Sequence, residues 1–525
     1  MAATVGWSLK SYRLRCEQPF VTAAAAAVVA LAILPPLAAV GRDLFAADDA
    51  LALLASGRLW WLLARSLSLS GVVTALALGA GVPLGVLFAR ANIPLRRLLL
   101  AAHVAIVFLP PFLPALGWFD LLGQAGLAGS ELSAKLLFSD LGLVLVLTVC
   151  FTPVVTALTA LGVNGVDASL VEAARIAAGP WRAAAFVLVP CAAPVIGLAG
   201  VVVFTLAFSE LGVPMFLRVN VYPAVVFSRL GGMDFAPGEA AVYVLPLLLV
   251  ACVLVAFERR FAGRRAIAGL ADRGARGLPL FTGRPFFTAL GVFAAVTSLA
   301  PLFGLLLCAA NGGGFSKLRV WLADAPWNGL RASTLAAAIA TALALVLGHA
   351  LARQARVGVW VDGLATLAFI LPSSVLGVGI VAAWNHPSTS WLYGSYAVLV
   401  VGFVARYTAV ATRMFAGAVA QLPASFEEAA KSVGAGYLRR LHLVQQLAAR
   451  GLAATFVLTL VFALRDLETA ALFYPPSGEP LTVRIFTLEA NGPPAIVAAL
   501  ALVHVAITLA AVSGGFILLR DRRAA

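Results

Sequence analysis

Charge is what this 525-residue sequence has little of: Asp, Glu, Lys and Arg supply only 11% of it, against ~25% in an ordinary soluble domain. Cysteine is also sparse. Cys16, Cys150, Cys191, Cys252 and Cys308 sit in or beside apolar blocks at irregular spacing with no CxxC pair, which excludes a disulfide framework and a zinc site. His103, His349, His386, His442 and His504 show no metal-ligand spacing, so neither a metal nor another cofactor is expected. No GxxxxGK[ST] occurs, and Gly312-Gly313-Gly314 lacks the Lys-Ser/Thr that would follow; the chain is not expected to bind ATP through a P-loop. No cluster of His, Asp or Ser suggests catalysis, so an enzyme is not expected.

What is abundant is apolar sequence. Hydrophobic residues make up 62% of the chain, in blocks of the ~20 residues that cross a bilayer core at 1.5 Å per residue. Ala23–Val40, Gly142–Leu161, Tyr243–Phe257, Phe286–Ala309 and Ala495–Leu519 carry almost no charge. Such blocks must be helices, since lipid offers backbone groups no partner. The pattern predicts an all-α, polytopic transmembrane bundle of about twelve helices. The spans fall at 19–40, 66–87, 98–122, 141–162, 191–213 and 240–257, then 286–309, 332–352, 361–384, 396–414, 451–470 and 495–519. Lys10, Arg13 and Arg15 ahead of the first span fit a signal peptide in charge, but the run is long and others follow, which favours an uncleaved first helix.

The net charge of +14 does not indicate nucleic acid, because the basic residues lie between apolar blocks. Arg90/Arg96/Arg97, Arg353/Arg356, Arg439/Arg440/Arg450 and Arg520/Arg522/Arg523 occupy alternate loops. By the positive-inside rule these loops and both termini face the cytoplasm. The longest basic segment, Glu258–Arg284, is also rich in Gly and divides the chain. Residues 1–257 form a first half of about six spans, 258–284 a cytoplasmic linker, and 285–525 a second half of similar design. Thr74–Leu78 and Thr341–Leu345 repeat the same five residues.

A second repeat is more informative. After the fourth span of each half the chain turns polar: Asp167-Ala-Ser-Leu-Val-Glu172-Ala173-Ala174-Arg175 leads to Gly179-Pro180, and Pro423-Ala-Ser-Phe-Glu-Glu428-Ala429-Ala430-Lys431 leads to Gly434. Ser169 and Ser425 read as N-caps, with Glu172 and Glu428 three residues on as capping-box partners. Small residues then leave the helix backbone open to close approach, and glycine permits a turn. Each unit is a helix–turn–helix knob at the cytoplasmic surface.

This pattern resembles the signature loop of binding-protein-dependent ABC importer permeases. The resemblance implies that Glu172, Ala173, Ala174 and Gly179, and Glu428, Ala429, Ala430 and Gly434, form two coupling helices that seat in a cytoplasmic ATP-binding partner, itself a homodimer. The family spaces glycine six residues after glutamate; Glu428–Gly434 matches, whereas Glu172–Gly179 is one longer. The family's Ile-x-Leu-Pro ending is kept as Val187–Pro190 and degenerates to Val444–Leu447. Two fused six-helix units of the type I importer fold are similar to the iron(III) importer branch, as are Ser209–Pro214 and Leu464–Thr469 followed by Pro475-Pro476. The resemblance further implies a periplasmic or extracellular substrate-binding protein and a place in the inner (plasma) membrane.

Ionisable residues inside spans are functional suspects. Glu210 near the outer end of the fifth span, and Asp466 and Glu468 at the matching place in the eleventh, either line one translocation path or cap helix ends and pair locally, as Arg465 could with Asp466 or Glu468. Lining the path, they favour a cationic cargo, with ferric ion first and thiamine, an aminophosphonate or a polyamine behind it. Arg406 and Arg413 are expected to snorkel to the interface. A secondary transporter with two homologous halves is the competing class.

Overall fold

The computed structural model describes residues 19–45, 50–231, 237–261, 279–281 and 283–519. Both termini and most of the 258–284 linker, with Lys10, Arg13, Arg15, Arg264, Arg265, Arg273, Arg276 and Arg520–Arg523, therefore lie outside the described residues. Among the described residues the chain is helical throughout, apart from one isolated parallel bridge between Ala91 and Phe281.

Nine single helices among the described residues are long and apolar enough to cross a membrane, and three bent helix pairs raise the number there to twelve. Each expected span has its counterpart. Most are longer than expected, such as Gly57–Arg90 and Ala325–Ala352. The third span of each half is not continuous. Arg96–Phe108 and Phe112–Leu122 meet at 107°, and Arg356–Ile370 and Ser373–Trp384 at 106°. Both breaks fall at a Leu-Pro step, Leu109-Pro110 and Leu371-Pro372, where proline cannot donate to the preceding turn and restricts the residue before it.

Helix contacts follow the small residues. Ala336, Ala340 and Ala344 of Ala325–Ala352 are buried where that helix packs on Tyr396–Ala420, whose Ala405, Ala409 and Ala411 are likewise buried. Gly57–Arg90 packs on Asp140–Asn164 in the corresponding way. Small side chains let helix backbones approach where lipid supplies no hydrophobic drive between helices. Large apolar residues such as Phe20, Leu31, Leu249, Val253, Phe293 and Val296 are instead exposed on the outer helices, as a lipid-facing surface requires.

The first helix of each half packs across the molecule. Pro19–Phe45 lies against Ser373–Trp384 and Arg356–Ile370, and Arg284–Asn311 lies against Phe112–Leu122 and Arg96–Ala105. Each thus fills the corner of a broken span distant from it in sequence. The crossings are close: a Cβ on Gly117 would fall 1.9 Å from the Pro301 carbonyl oxygen, and one on Gly379 2.5 Å from that of Pro36. No other residue type fits there without the helices moving apart.

Candidate functional site

Two features carry the chemistry, one at the centre of the bundle and one at the end where the helices Asp140–Asn164 and Tyr396–Ala420 stop.

At the centre, two helices are interrupted side by side. Val189–Ser209 stops at Glu210, and Gly212–Phe216 follows. Ala449–Leu464 stops at Arg465, and Leu467–Phe473 follows with Asp466 as its N-cap. The acidic residues therefore sit at helix breaks rather than within continuous spans. Asp466 accepts from the Thr469 amide at 2.9 Å and from the Tyr407 hydroxyl at 2.8 Å. Glu468 accepts from the Leu211 amide at 2.8 Å and from the Ser373 hydroxyl at 2.6 Å. Glu210 accepts from the Val213 amide at 3.3 Å. The structure brings Glu210, Asp466 and Glu468 together around one cavity of ≈ 40 Å³, which Arg406, Tyr407 and Arg465 also line.

The arginines depart from the sequence expectation. Arg465 pairs with neither Asp466 nor Glu468; its Nη1 donates to the Val107 carbonyl at the first broken span. Arg406 does not reach an interface. It is 6% exposed, held in the cluster by Asp466 at 3.8 Å and Glu468 at 3.7 Å. Both separations exceed hydrogen-bond length, and among the described residues Arg406 Nε and Nη1 have no hydrogen-bond partner. Buried donors left unmade cost about 1–3 kcal/mol each, so the position is maintained against a penalty. Arg413, half-buried, makes a two-pronged pair with Asp362 at 2.7 and 2.9 Å.

Two short helices project at the other feature. Ala168–Ala178 carries Glu172, Ala173 and Ala174, and Ser425–Ser432 carries Glu428, Ala429 and Ala430. Ser169 is not the first N-cap. Asp167 is, accepting from the Ser169 amide at 2.8 Å and the Ser169 hydroxyl at 2.6 Å, because a carboxylate is the stronger acceptor. Ser425 begins the second helix as a helical residue, and Ala424 ahead of it makes no side-chain cap; neither expected capping box forms.

Both helices end at a glycine in the left-handed region, Gly179 at φ +79° and Gly434 at φ +81°. Neither has an atom within 4 Å of where a Cβ would stand, so glycine is required there by backbone conformation alone. Beside these turns, apolar side chains face outward: Ile176 is 88% exposed, Val433 83% and Trp181 66%. Trp181 packs on Phe281 with ring centroids 4.7 Å apart and the planes tilted by 51°.

The helices are anchored differently. Val171 is buried among Val86, Leu87 and Val163. The second helix has Glu427 at the matching position, buried and bonded to His349 Nε2 at 2.8 Å and Arg353 Nε at 2.8 Å. Burial pushes the Glu427 carboxyl up, but hydrogen bonds and charge from His349 and Arg353 outweigh it and hold the group below the usual carboxylate range. Sequence reasoning missed Glu427 and Tyr407 and misplaced Arg406. Only Glu427 carried a signal, a second acid inside a motif that needs one.

Comparison with known proteins yields a consistent family. The model described as binding-protein-dependent transport system inner membrane component matches residues 340–524. That segment contains Glu428–Gly434, Arg406 and Arg465–Glu468. Proteins named as a 2-aminoethylphosphonate transport system permease, PhnV, from Salmonella paratyphi A, Salmonella typhi and Salmonella typhimurium are each 31% identical over 194 residues. The alignment covers 36% of this chain and 73% of each relative, so this chain is about twice a relative's length (73/36).

Proposed function

The chain belongs to the family of binding-protein-dependent transport system inner membrane components, and on that premise we propose that its two halves together line the translocation path of one ABC importer. It is a multi-pass inner-membrane transport subunit rather than an enzyme. In this reading residues 1–257 and 285–525 replace two separate permease subunits, joined by the 258–284 linker. The doubled length relative to PhnV and the exchanged first helices support the fusion.

The observation that carries the reading is the pair of exposed helices Ala168–Ala178 and Ser425–Ser432, each ending at a left-handed glycine beside outward-facing apolar residues. Each seats in one protomer of a dimeric ATPase. Both termini lie on that cytoplasmic side, and a substrate-binding protein delivers cargo at the opposite end. Glu172→Lys with Glu428→Lys tests the dock. Charge reversal across an interface costs several kcal/mol, so the double variant should insert normally but lose the co-purifying ATPase and ATP-driven uptake. Undiminished ATPase association would remove both helices from the coupling role.

For cargo, we place a small aminophosphonate ahead of ferric ion. Three acids alone favoured a cation. Around the cavity they are balanced by Arg406 and Arg465, and among the described residues no three His, Cys, Asp or Glu side chains converge on a metal-sized point. The named substrate of the PhnV relatives carries both charges. Competition between 2-aminoethylphosphonate and ferric citrate for uptake by the assembled importer decides the order: aminophosphonate uptake indifferent to iron supports it, and iron uptake indifferent to aminophosphonate reverses it.

A further inference from the structure

We propose that Arg406 and Glu210 form a transit site for a zwitterion inside the permease itself, the guanidinium taking the cargo's oxyanion and the carboxylate its ammonium group. The proposal rests on the importer reading and names what the central cavity recognises.

Three observations carry it. First, Arg406 keeps Nε and Nη1 without hydrogen-bond partners among the described residues although it is 6% exposed. An arginine in a purely structural ion pair would turn its planar fork onto a carboxylate, as Arg413 does onto Asp362. Arg406 instead stands 3.7–3.8 Å from two carboxylates whose own oxygens are occupied by Tyr407, Thr469, Leu211 and Ser373. Its charge is balanced while its donors stay free, which is what a phosphonate or carboxylate oxygen needs to find.

Second, Glu210 lies on the same cavity and comes from the other half of the chain. Glu210 accepts from backbone amides, those of Val213 at 3.3 Å and Gly212, and among the described residues no side-chain donor reaches it, whereas Tyr407 and Ser373 donate to Asp466 and Glu468; its carboxylate keeps acceptor capacity. A guanidinium with spare donors and a carboxylate with spare acceptor capacity, facing one cavity, match a molecule bearing both charges.

Third, the cavity of ≈ 40 Å³ has room for a few waters, each needing about 10–15 Å³, and for no organic cargo. Two of its lining residues, Glu468 and Arg465, bond to backbone far away in the chain, at Leu211 and Val107. In this conformation the site is too small for cargo, and it widens when the helices that line it move apart. A weak, transient site suits a conduit, because cargo must leave it again.

The test uses the full-length permease reconstituted in vesicles with its ATPase and binding protein. Uptake is followed with 2-aminoethylphosphonate, with ethylphosphonate, which lacks the ammonium, and with ethylamine, which lacks the phosphonate. Arg406→Gln should raise the KM for both phosphonates by about tenfold or more, the size of a lost charge-assisted bond. Arg406→Lys keeps the charge, guards against misfolding, and should raise it less. Glu210→Gln should raise the KM for 2-aminoethylphosphonate and leave that for ethylphosphonate unchanged. Co-purification with the ATPase reports assembly of each variant. If Arg406→Lys and Glu210→Gln assemble and transport with wild-type KM values, the site is wrong and the importer reading stands. If the wild-type system carries neither phosphonate but drives another cargo with ATP, the cargo assignment falls and the site with it.

Discussion

One position before each motif glutamate, Val171 and Glu427 do the same anchoring by different physics. Val171 is held by apolar contact, and Glu427 by His349 and Arg353. Because the folded-state carboxyl of Glu427 titrates below its ordinary value, its contribution is full above the unfolded value of about 4.3 and is lost as pH falls through the folded one. Glu427→Gln should therefore lower the melting temperature at neutral pH, with a cost of about 1–3 kcal/mol, and the gap from wild type should close in acid. A gap independent of pH would mean that packing, not charge, holds the second helix. The sequence made Glu172 and Glu428 legible because they repeat. For Glu427 it offered a second acid in the motif but not the partners, which lie 74–78 residues away. Arg406 was misplaced for a related reason: within one span, an arginine near an end and an arginine facing an internal carboxylate look alike. Only Asp466 and Glu468, some sixty residues on, separate the two cases.

Among the elements, the apolar blocks located every span, since length and hydropathy are local properties. They did not reveal that 98–122 and 361–384 each fold back on themselves. Pro110 and Pro372 were visible, but proline alone often gives a kink far short of 107°. The corner persists because a helix distant in sequence fills it, and that contact is invisible to any window of sequence. Gly117→Ala and Gly379→Ala should each destabilise the protein by about 1–3 kcal/mol through overpacking against Pro301 and Pro36. Gly417, with nothing within 4 Å of a Cβ, is the control: Gly417→Ala should leave thermal stability unchanged or raise it, because alanine is the better helix former. Equal melting temperatures for all three variants would show that the crossings are not tightly packed. The turn glycines make a different demand. Gly179→Ala with Gly434→Ala forces a left-handed alanine at about 1–2 kcal/mol each, and it should weaken ATPase association more than it lowers the melting temperature. A parallel loss of both would assign the turns to folding rather than docking.

For the whole molecule, if 1–257 and 285–525 are the two halves proposed above, the crossing of their first helices leaves neither complete alone. Pro19–Phe45 packs on the second half and Arg284–Asn311 on the first. A chain cut after Gly269 and expressed as two pieces should still co-insert and co-purify, whereas either piece alone should be unstable; pieces that each fold alone would contradict the exchange. The central claim is that this bundle is the passive conduit of an ATP-driven importer with one dock in each half. Its most direct measurement is uptake of 2-aminoethylphosphonate, loaded on the partner binding protein, into vesicles holding the permease and the ATPase, with ATP on the ATPase side and the ion gradients dissipated. The account predicts uptake that needs ATP and the binding protein, and that disappears in Glu172→Lys/Glu428→Lys. Uptake that persists without ATP and follows a proton or sodium gradient would contradict it.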